Sequence, residues 1–426
     1  MEELGTLAVA SLLLVYALVS WRLHRFWVSM PAAMLVAGFF LGSDGFGLIE
    51  LDYTSETVKF VAEATLALML FHDACRIGFS KLRGQAALPL RLLGIGLPVM
   101  LVLGTVVGYL LVPSAGWIAV ALVATMLAPT DAALGEEVVT DERLPGWLRQ
   151  GLNVESGLND GLCVPVFLVL LGLAAPGGES GRVITEFAAA IGFGVIAGAV
   201  FGGGGGMLVR LAHARDWMLP DWSRYAVLAV ALSCYVAAAV MGGSGFIGAF
   251  VGGLFFGTTS GQRVKGSLEL TGNLGTAFDA VAFVLLGAVL VPDALQHLSW
   301  QVVAYAVLSL TVVRMVSVAI AMIGTGAAWP TVAFMGWFGP RGLATVVFTV
   351  MLLEAEIAGG EQLAAVAVTG LVLSVFAHGF SAPGLVGVYA RWYEKLGASG
   401  KRPEHREVNQ PLTRGHGLVT GETQER

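Results

Sequence analysis

Residues 127–167 read L-A-P-T-D-A-A-L-G-E-E-V-V-T-D-E-R-L-P-G-W-L-R-Q-G-L-N-V-E-S-G-L-N-D-G-L-C-V-P-V-F, and Asp131, Glu155 and Asp160 stand there inside stretches otherwise apolar enough to cross a bilayer. An ionisable side chain at membrane depth costs roughly 2.5 to 3.5 kcal/mol or more, so these carboxylates mark an ion path, a proton relay or fixed ion pairs. The surrounding 426 residues are 56% hydrophobic and only 13% charged, against roughly 25% charged residues in soluble domains. Apolar runs of about the length needed to cross a hydrocarbon core recur from Leu4 to Ala390 with short connections, leaving no room for a soluble domain between them. The expected fold is therefore an all-α polytopic membrane protein.

Thirteen spans are predicted, at about 4–21, 26–43, 57–78, 88–112, 115–139, 148–172, 183–211, 222–241, 243–259, 270–291, 298–324, 331–353 and 362–390. Basic residues then fall on alternate connections: Arg22 and Arg25; Arg76, Lys81 and Arg83; Arg143 and Arg149; Arg210 and Arg215; Arg263 and Lys265; and the tail with Arg391, Lys401 and Arg402. By the positive-inside rule those connections are cytoplasmic, so the N-terminus faces out and the C-terminus in, across a cell inner membrane. Arg182 is the main exception, on a connection that faces out. The first apolar run has acid rather than base before it and no small-residue cleavage site, and reads as a span. The membrane region occupies residues 1–395, and residues 396–426, polar and without apolar period, are expected to be a disordered cytoplasmic tail.

The net charge of -6 comes from loops and tail, and no basic patch with interleaved aromatics points to nucleic acid. Cys75, Cys163 and Cys234 have no metal, haem or disulfide spacing and read as packing residues. Gly202–Gly206 lacks the strand that a nucleotide loop needs, which leaves close helix contact or local unwinding. His72 reads as an interfacial histidine, Asp279 as a deeper core residue, and His378 and Ser381 as bridges between helices.

Thirteen spans divide as six, one and six: repeats at 4–172 and 222–390 with a linker helix at 183–211, the odd linker giving the halves opposite orientation. In such inverted repeats the binding site lies where corresponding helices are broken. Here the fifth span of each half is interrupted, by Ala128-Pro129-Thr130-Asp131 and by Gly336-Trp337-Phe338-Gly339-Pro340-Arg341-Gly342. Pro129 and Pro340 each remove a backbone donor and block a further hydrogen bond, freeing polar backbone in the bilayer interior. Asp131 can face the positive ends of the half-helices and Arg341 the negative ends.

At about 100° per residue, Glu155, Ser156, Asn159 and Asp160 share one helical face within an arc of roughly 140°. Desolvation raises a buried carboxylate's proton affinity and a neighbouring cation lowers it, so Asp160 can hold a proton or a metal ion in turn. That competition is the chemistry of antiport. Thr130, Ser156 and backbone oxygens at the break offer further ligands for a hard monovalent cation. Glu155 would add charge unless neutralised, and Arg314 and Arg341, the arginines deep in the second half, are the candidates for a permanent ion pair with it.

P-T-D-A at 129–132, N-V-E-S-G-L-N-D at 153–160 and W-F-G-P-R-G-L-A at 337–344 resemble sodium/proton antiporters of the NhaP/NHE type; F-D-A-V-A-F-V-L-L-G at 278–287 and L-M-L-F-H-D-A at 68–74 resemble two further helices of that family. The resemblance implies a homodimer, crossed broken helices, and exchange of Na+, or Li+ or K+, for H+ with no cofactor beyond the transported ions. It implies that Asp160 carries cation and proton, that Asn159 and Thr130 hold the crossing together, that Asp131 compensates helix ends, and that Ser156 is a ligand. The Asn159-Asp160 pair resembles the electroneutral branch, which exchanges one cation for one proton. Two departures are Pro340, where many members have another residue, and Asp73, where some have glutamate, so a ligand role for Asp73 stays open beside a solvated pair with Arg76. Outside this reading stand a K+/H+ antiporter of the same fold, a cation channel, whose conductance would exceed carrier turnover, and an intramembrane hydrolase, which needs a second catalytic carboxylate.

Overall fold

A chain this apolar satisfies its backbone in lipid by folding into helices, and every regular element among the described residues is helical. The computed structural model describes residues 2–82, 87–131, 134–175, 180–219, 221–261, 266–396 and 402–406. Of the basic residues used above for orientation, Arg83, Arg263, Lys265 and Lys401 lie outside these, as does the tail beyond 406.

The helices are α1 (Glu2–Arg25), α2 (Met30–Leu41), α3 (Glu56–Leu82), α4 (Ala87–Arg91), α5 (Leu97–Leu111), α6 (Gly116–Met126), α7 (Glu136–Thr140), α8 (Gly146–Ala174), α9 (Ser180–Ala197) and α10 (Gly203–Ala214). They continue as α11 (Trp222–Val240), α12 (Gly245–Thr259), α13 (Glu269–Leu285), α14 (Val291–Gln296), α15 (Trp300–Leu308), α16 (Arg314–Met322), α17 (Trp329–Trp337), α18 (Leu343–Glu354) and α19 (Gly360–Lys395). Four pairs run on through single π-helical turns: α4 to α5 at Leu92–Gly96, α9 to α10 at Gly198–Gly202, α13 to α14 at Leu286–Leu290, and α15 to α16 at Ser309–Val313. Ser29, Ser244 and Ser299 start α2, α12 and α15 by accepting from the backbone N–H three residues on, at 3.4, 3.4 and 3.3 Å.

By length and composition eight helices among the described residues can cross a membrane, and four shorter apolar helices accompany them. α3 is not one of the eight, because it carries Lys59, Glu63, Asp73 and Arg76. It is nevertheless central, packed on α8, α12, α13 and α18. Glycines permit that centrality: a Cβ on Gly253 or Gly257 of α12 would run into the α3 backbone carbonyls of Phe71 and Cys75. The glycine run of α10 combines both expected roles, a π turn ending at Gly202 and a close approach of Gly202 to Gly252 of α12. Large apolar side chains such as Leu18, Leu110 and Val240 cover the outside, as lipid contact requires.

Two residues outside the site have surroundings that the sequence did not indicate. His72 is buried in the protein, with its ring against Gly272 of α13, where the missing glycine side chain leaves a slot. Within the tail, Pro403–His405 forms a short 3-10 turn with Pro403 and Glu404 buried. An acidic side chain in an otherwise polar tail can dock where a helix start offers free N–H groups.

Candidate functional site

Both broken spans are broken where their prolines stand. α6 stops at Met126, three residues before Pro129, and α17 stops at Trp337, three before Pro340. Helix resumes at Glu136 and at Leu343. The backbone groups released at one break are taken up by the other. The Asp131 N–H donates to the Pro340 carbonyl at 2.7 Å. In return Arg341 Nη1 donates to the Ala128 carbonyl at 2.9 Å and the Thr345 hydroxyl to the Met126 carbonyl at 2.8 Å. The carbonyl end of α6, where the helix dipole is negative, thus meets a guanidinium.

Asp131 sits at the opposite pole. Its carboxylate lies against Gly342, the residue that starts α18 and has no side-chain cap of its own. A Cβ at Gly342 would occupy the space of the Asp131 carboxylate, so glycine there is a condition for the approach. α19 clamps the second break from behind: Ser374 Oγ accepts from the Arg341 N–H at 2.7 Å, and His378 Nε2 lies 2.8 Å from the Trp337 carbonyl, which it reaches as a donor. The Trp337 indole donates to Ser381 Oγ at 2.9 Å. Ser374 and Thr345 were missed in the sequence, where a hydroxyl in an apolar run gives no sign of its target. His378 and Ser381 were read only as bridges, without this partner.

The polar face of α8 closes the site from the other side. Asn159 Nδ2 donates to Thr130 Oγ1 at 2.6 Å, and Thr130 and Ser156 share a hydrogen bond of 3.0 Å. Thr130, Ser156 and Asn159 are all buried, and Asp160, next along, is half-buried. Asn159 Oδ1 is buried and accepts nothing among the described residues. Asp73 of α3 lies beside Gly157, so it flanks the same stretch of α8, while Gly161 faces Phe250 of α12.

Glu155 is engaged elsewhere. Arg314 grips it with both terminal nitrogens, Nη2 to Oε2 at 2.9 Å and Nη1 to Oε1, and both side chains are about 4% exposed. Arg314 in turn leaves no room at Gly339 for a side chain, which ties the pair to the second break. Arg341, the other candidate partner, is fully buried and spends its hydrogen bonds on backbone carbonyls instead. The π turn at Ser309–Val313 immediately before Arg314 helps decide this, because one extra residue in a turn rotates all later side chains by about 100°.

A family model for the transmembrane sodium/hydrogen exchanger matches residues 9–387. The chain belongs to the sodium/hydrogen exchanger family. It is similar to the K(+)/H(+) antiporter NhaP2 of Shewanella oneidensis, 25% identical over 382 residues that cover 87% of this chain and 64% of that protein. The Na(+)/H(+) antiporter 2 of Zygosaccharomyces rouxii is 26% identical over 258 residues, 56% of this chain and 31% of that protein. The chain therefore spans less than two thirds of the length of these relatives. In fold it is similar to the sodium proton antiporter MjNhaP1 from Methanocaldococcus jannaschii, with a TM-score of 0.70 at 18% identity, covering 88% of this chain and 98% of that one. For this exchanger-family chain Thr130 at the first break is joined by hydrogen bonds to Ser156 and Asn159 of α8, Asp160 follows Asn159 along that helix, and Asp73 lies beside Gly157.

Proposed function

We propose that this chain is a secondary antiporter, not an enzyme, that exchanges Na+ for H+ by alternating access, with Asp160 binding cation and proton in competition. The observation that carries the reading is the meeting of two broken helices beside the polar face of α8: Asp131 to Pro340, Arg341 to Ala128, Asn159 to Thr130. That arrangement gathers backbone carbonyl and hydroxyl oxygens at one place, each already held by a hydrogen bond that leaves a further lone pair to a cation. Asp160, next to Asn159 on α8, is half-buried, and Asn159 Oδ1 is a spare acceptor. Thr130 and Ser156 complete an oxygen set suited to a hard monovalent cation. With Glu155 neutralised by Arg314, Asp160 changes charge by one unit when it trades a proton for a cation, and one-for-one exchange is electroneutral.

The same reading takes the chain as crossing a cell inner membrane thirteen times, as inverted repeats 4–172 and 222–390 around a linker helix at 183–211, with the N-terminus outside, the C-terminus inside, and two copies in a homodimer. K+/H+ exchange is the second reading, favoured by the names of the relatives from Shewanella. The deciding experiment is purified protein in proteoliposomes under an imposed pH gradient, challenged in turn with Na+, Li+ and K+. Dissipation of the gradient by Na+ supports the first reading and by K+ alone the second; dissipation by no cation rejects both, and single-channel conductance would move the protein to another class.

A further inference from the structure

The tail contributes a buried charge that the site as described does not use. Glu404 is 1% exposed. Its Oε1 accepts from the backbone N–H of Ala328 at 2.7 Å and from the Thr331 hydroxyl at 2.7 Å. Ala328 is the residue that starts α17, and it brings no side-chain cap of its own. A carboxylate 76 residues further along the chain thus takes up the N–H of the residue that precedes α17, whereas the serines of α2, α12 and α15 each accept from an N–H three residues further into their own helix. Negative charge at a helix start is also favoured by the helix dipole.

Further contacts seat the tail. The Glu404 carbonyl accepts from the Tyr393 hydroxyl of α19 at 3.1 Å, and the Tyr393 ring stacks on His405 with centroids 5.7 Å apart. Thr331 shares a second hydrogen bond, of 2.9 Å, with the Tyr389 hydroxyl of α19. The 3-10 turn Pro403–His405 also packs on α8. The tail thus fastens α17, α19 and α8 together at one end, and these helices carry the second break, its clamp and Asp160.

α17 has nine residues, so it is a strut of about 13 Å between the docked tail and the break. Its far end is fixed by His378 on the Trp337 carbonyl and by Ser374 on Arg341. A helix held at both ends transmits a shift at one to the other. We propose that Glu404 is a positioning residue for the exchange site: docked on the start of α17, it sets the placement of the half-helix that ends at Phe338–Gly342, and through it the affinity for the transported cation. This rests on the antiport reading above for its effect on affinity, and on geometry alone for the docking.

The test uses the full-length protein with Glu404→Ala, Glu404→Gln and Thr331→Val. Hydrogen–deuterium exchange of the peptide spanning residues 326–337 reads the docking directly. Glu404→Ala is expected to speed exchange there about tenfold, the order of one charge-assisted hydrogen bond. Unchanged exchange in that peptide overturns the docking, whatever the protein transports. In proteoliposomes Glu404→Ala and Thr331→Val should each raise the apparent cation KM by about fivefold, with the double substitution no worse than either, and maximal rate within about twofold of wild type. Glu404→Gln, which keeps the acceptor oxygen, should restore most of the KM. An anchor with no positioning role would lower the melting temperature of the variants and leave KM alone, and that result overturns the proposal. If Glu404→Ala does not fold, Thr331→Val, which removes one of the two hydrogen bonds to the Glu404 carboxylate, still carries both readouts, with Glu404→Gln as the control that keeps the acceptor. A wild-type protein without exchange activity rejects the antiport reading and leaves the deuterium result to decide the docking.

Discussion

Asp160 and Glu155 lie five residues apart on one helix and have different surroundings. Asp160, which follows Asn159 on α8, is half-buried, whereas Glu155 is buried and held by both terminal nitrogens of Arg314. Asp160→Asn should abolish cation-dependent proton flux in proteoliposomes while the protein still elutes as a single folded species, since a half-buried amide replaces a carboxylate of the same size. Glu155→Gln should act in the opposite sense. It strands a buried guanidinium and should cost about 3 to 5 kcal/mol, read as a fall in melting temperature. Adding Arg314→Gln to Glu155→Gln should recover part of that loss, and strictly additive losses would reject the pair as the cause. The N-V-E-S-G-L-N-D run made the helical face legible, because helix period alone places its polar residues together. The choice between Arg314 and Arg341 was not legible, because the π turn that rotates Arg314 leaves no mark in the sequence.

At the scale of elements, the two breaks are stable because each satisfies the other. The prolines predicted where α6 and α17 would stop, yet the partners of the freed carbonyls lie more than two hundred residues away. Gly342 is the tightest point of that junction. Gly342→Ala would press a methyl group into the Asp131 carboxylate, and should suppress exchange at least tenfold with a visible loss of melting temperature. Gly204 of α10 serves as the contrast, since nothing lies near the position of its missing Cβ. Gly204→Ala should leave exchange intact and be neutral or stabilising by about 0.5 to 1 kcal/mol, read in the same melting assay. Equal effects of the two substitutions would show that the junction is not special.

Among the described residues the molecule is a helical bundle with large apolar side chains on its outside and buried charges at the two breaks, on α8 and α16, on α13 and in the tail. With Glu155 neutralised, an imposed membrane potential should leave the rate of pH-driven exchange unchanged when valinomycin and K+ gradients set the voltage across liposomes; a steep dependence on voltage would reject one-for-one exchange. Composition and the spacing of apolar runs were sufficient for the all-helical class, because uninterrupted apolar runs of about 20 residues satisfy their backbone in lipid as helices, whereas barrel strands are shorter and alternate in polarity. The prolines and the polar period of α8 were sufficient for where the two helices break and which α8 residues share a face, because their effects are local: a missing N–H and a rotation per residue are fixed by the residue itself. Which arginine neutralises Glu155, which carbonyls Arg341 and Thr345 satisfy, and that Glu404 caps α17 were decided only in three dimensions. Each of these is a pairing between distant segments, and a side chain's identity states what it can bond to without stating which of several equal partners the packing will bring within reach.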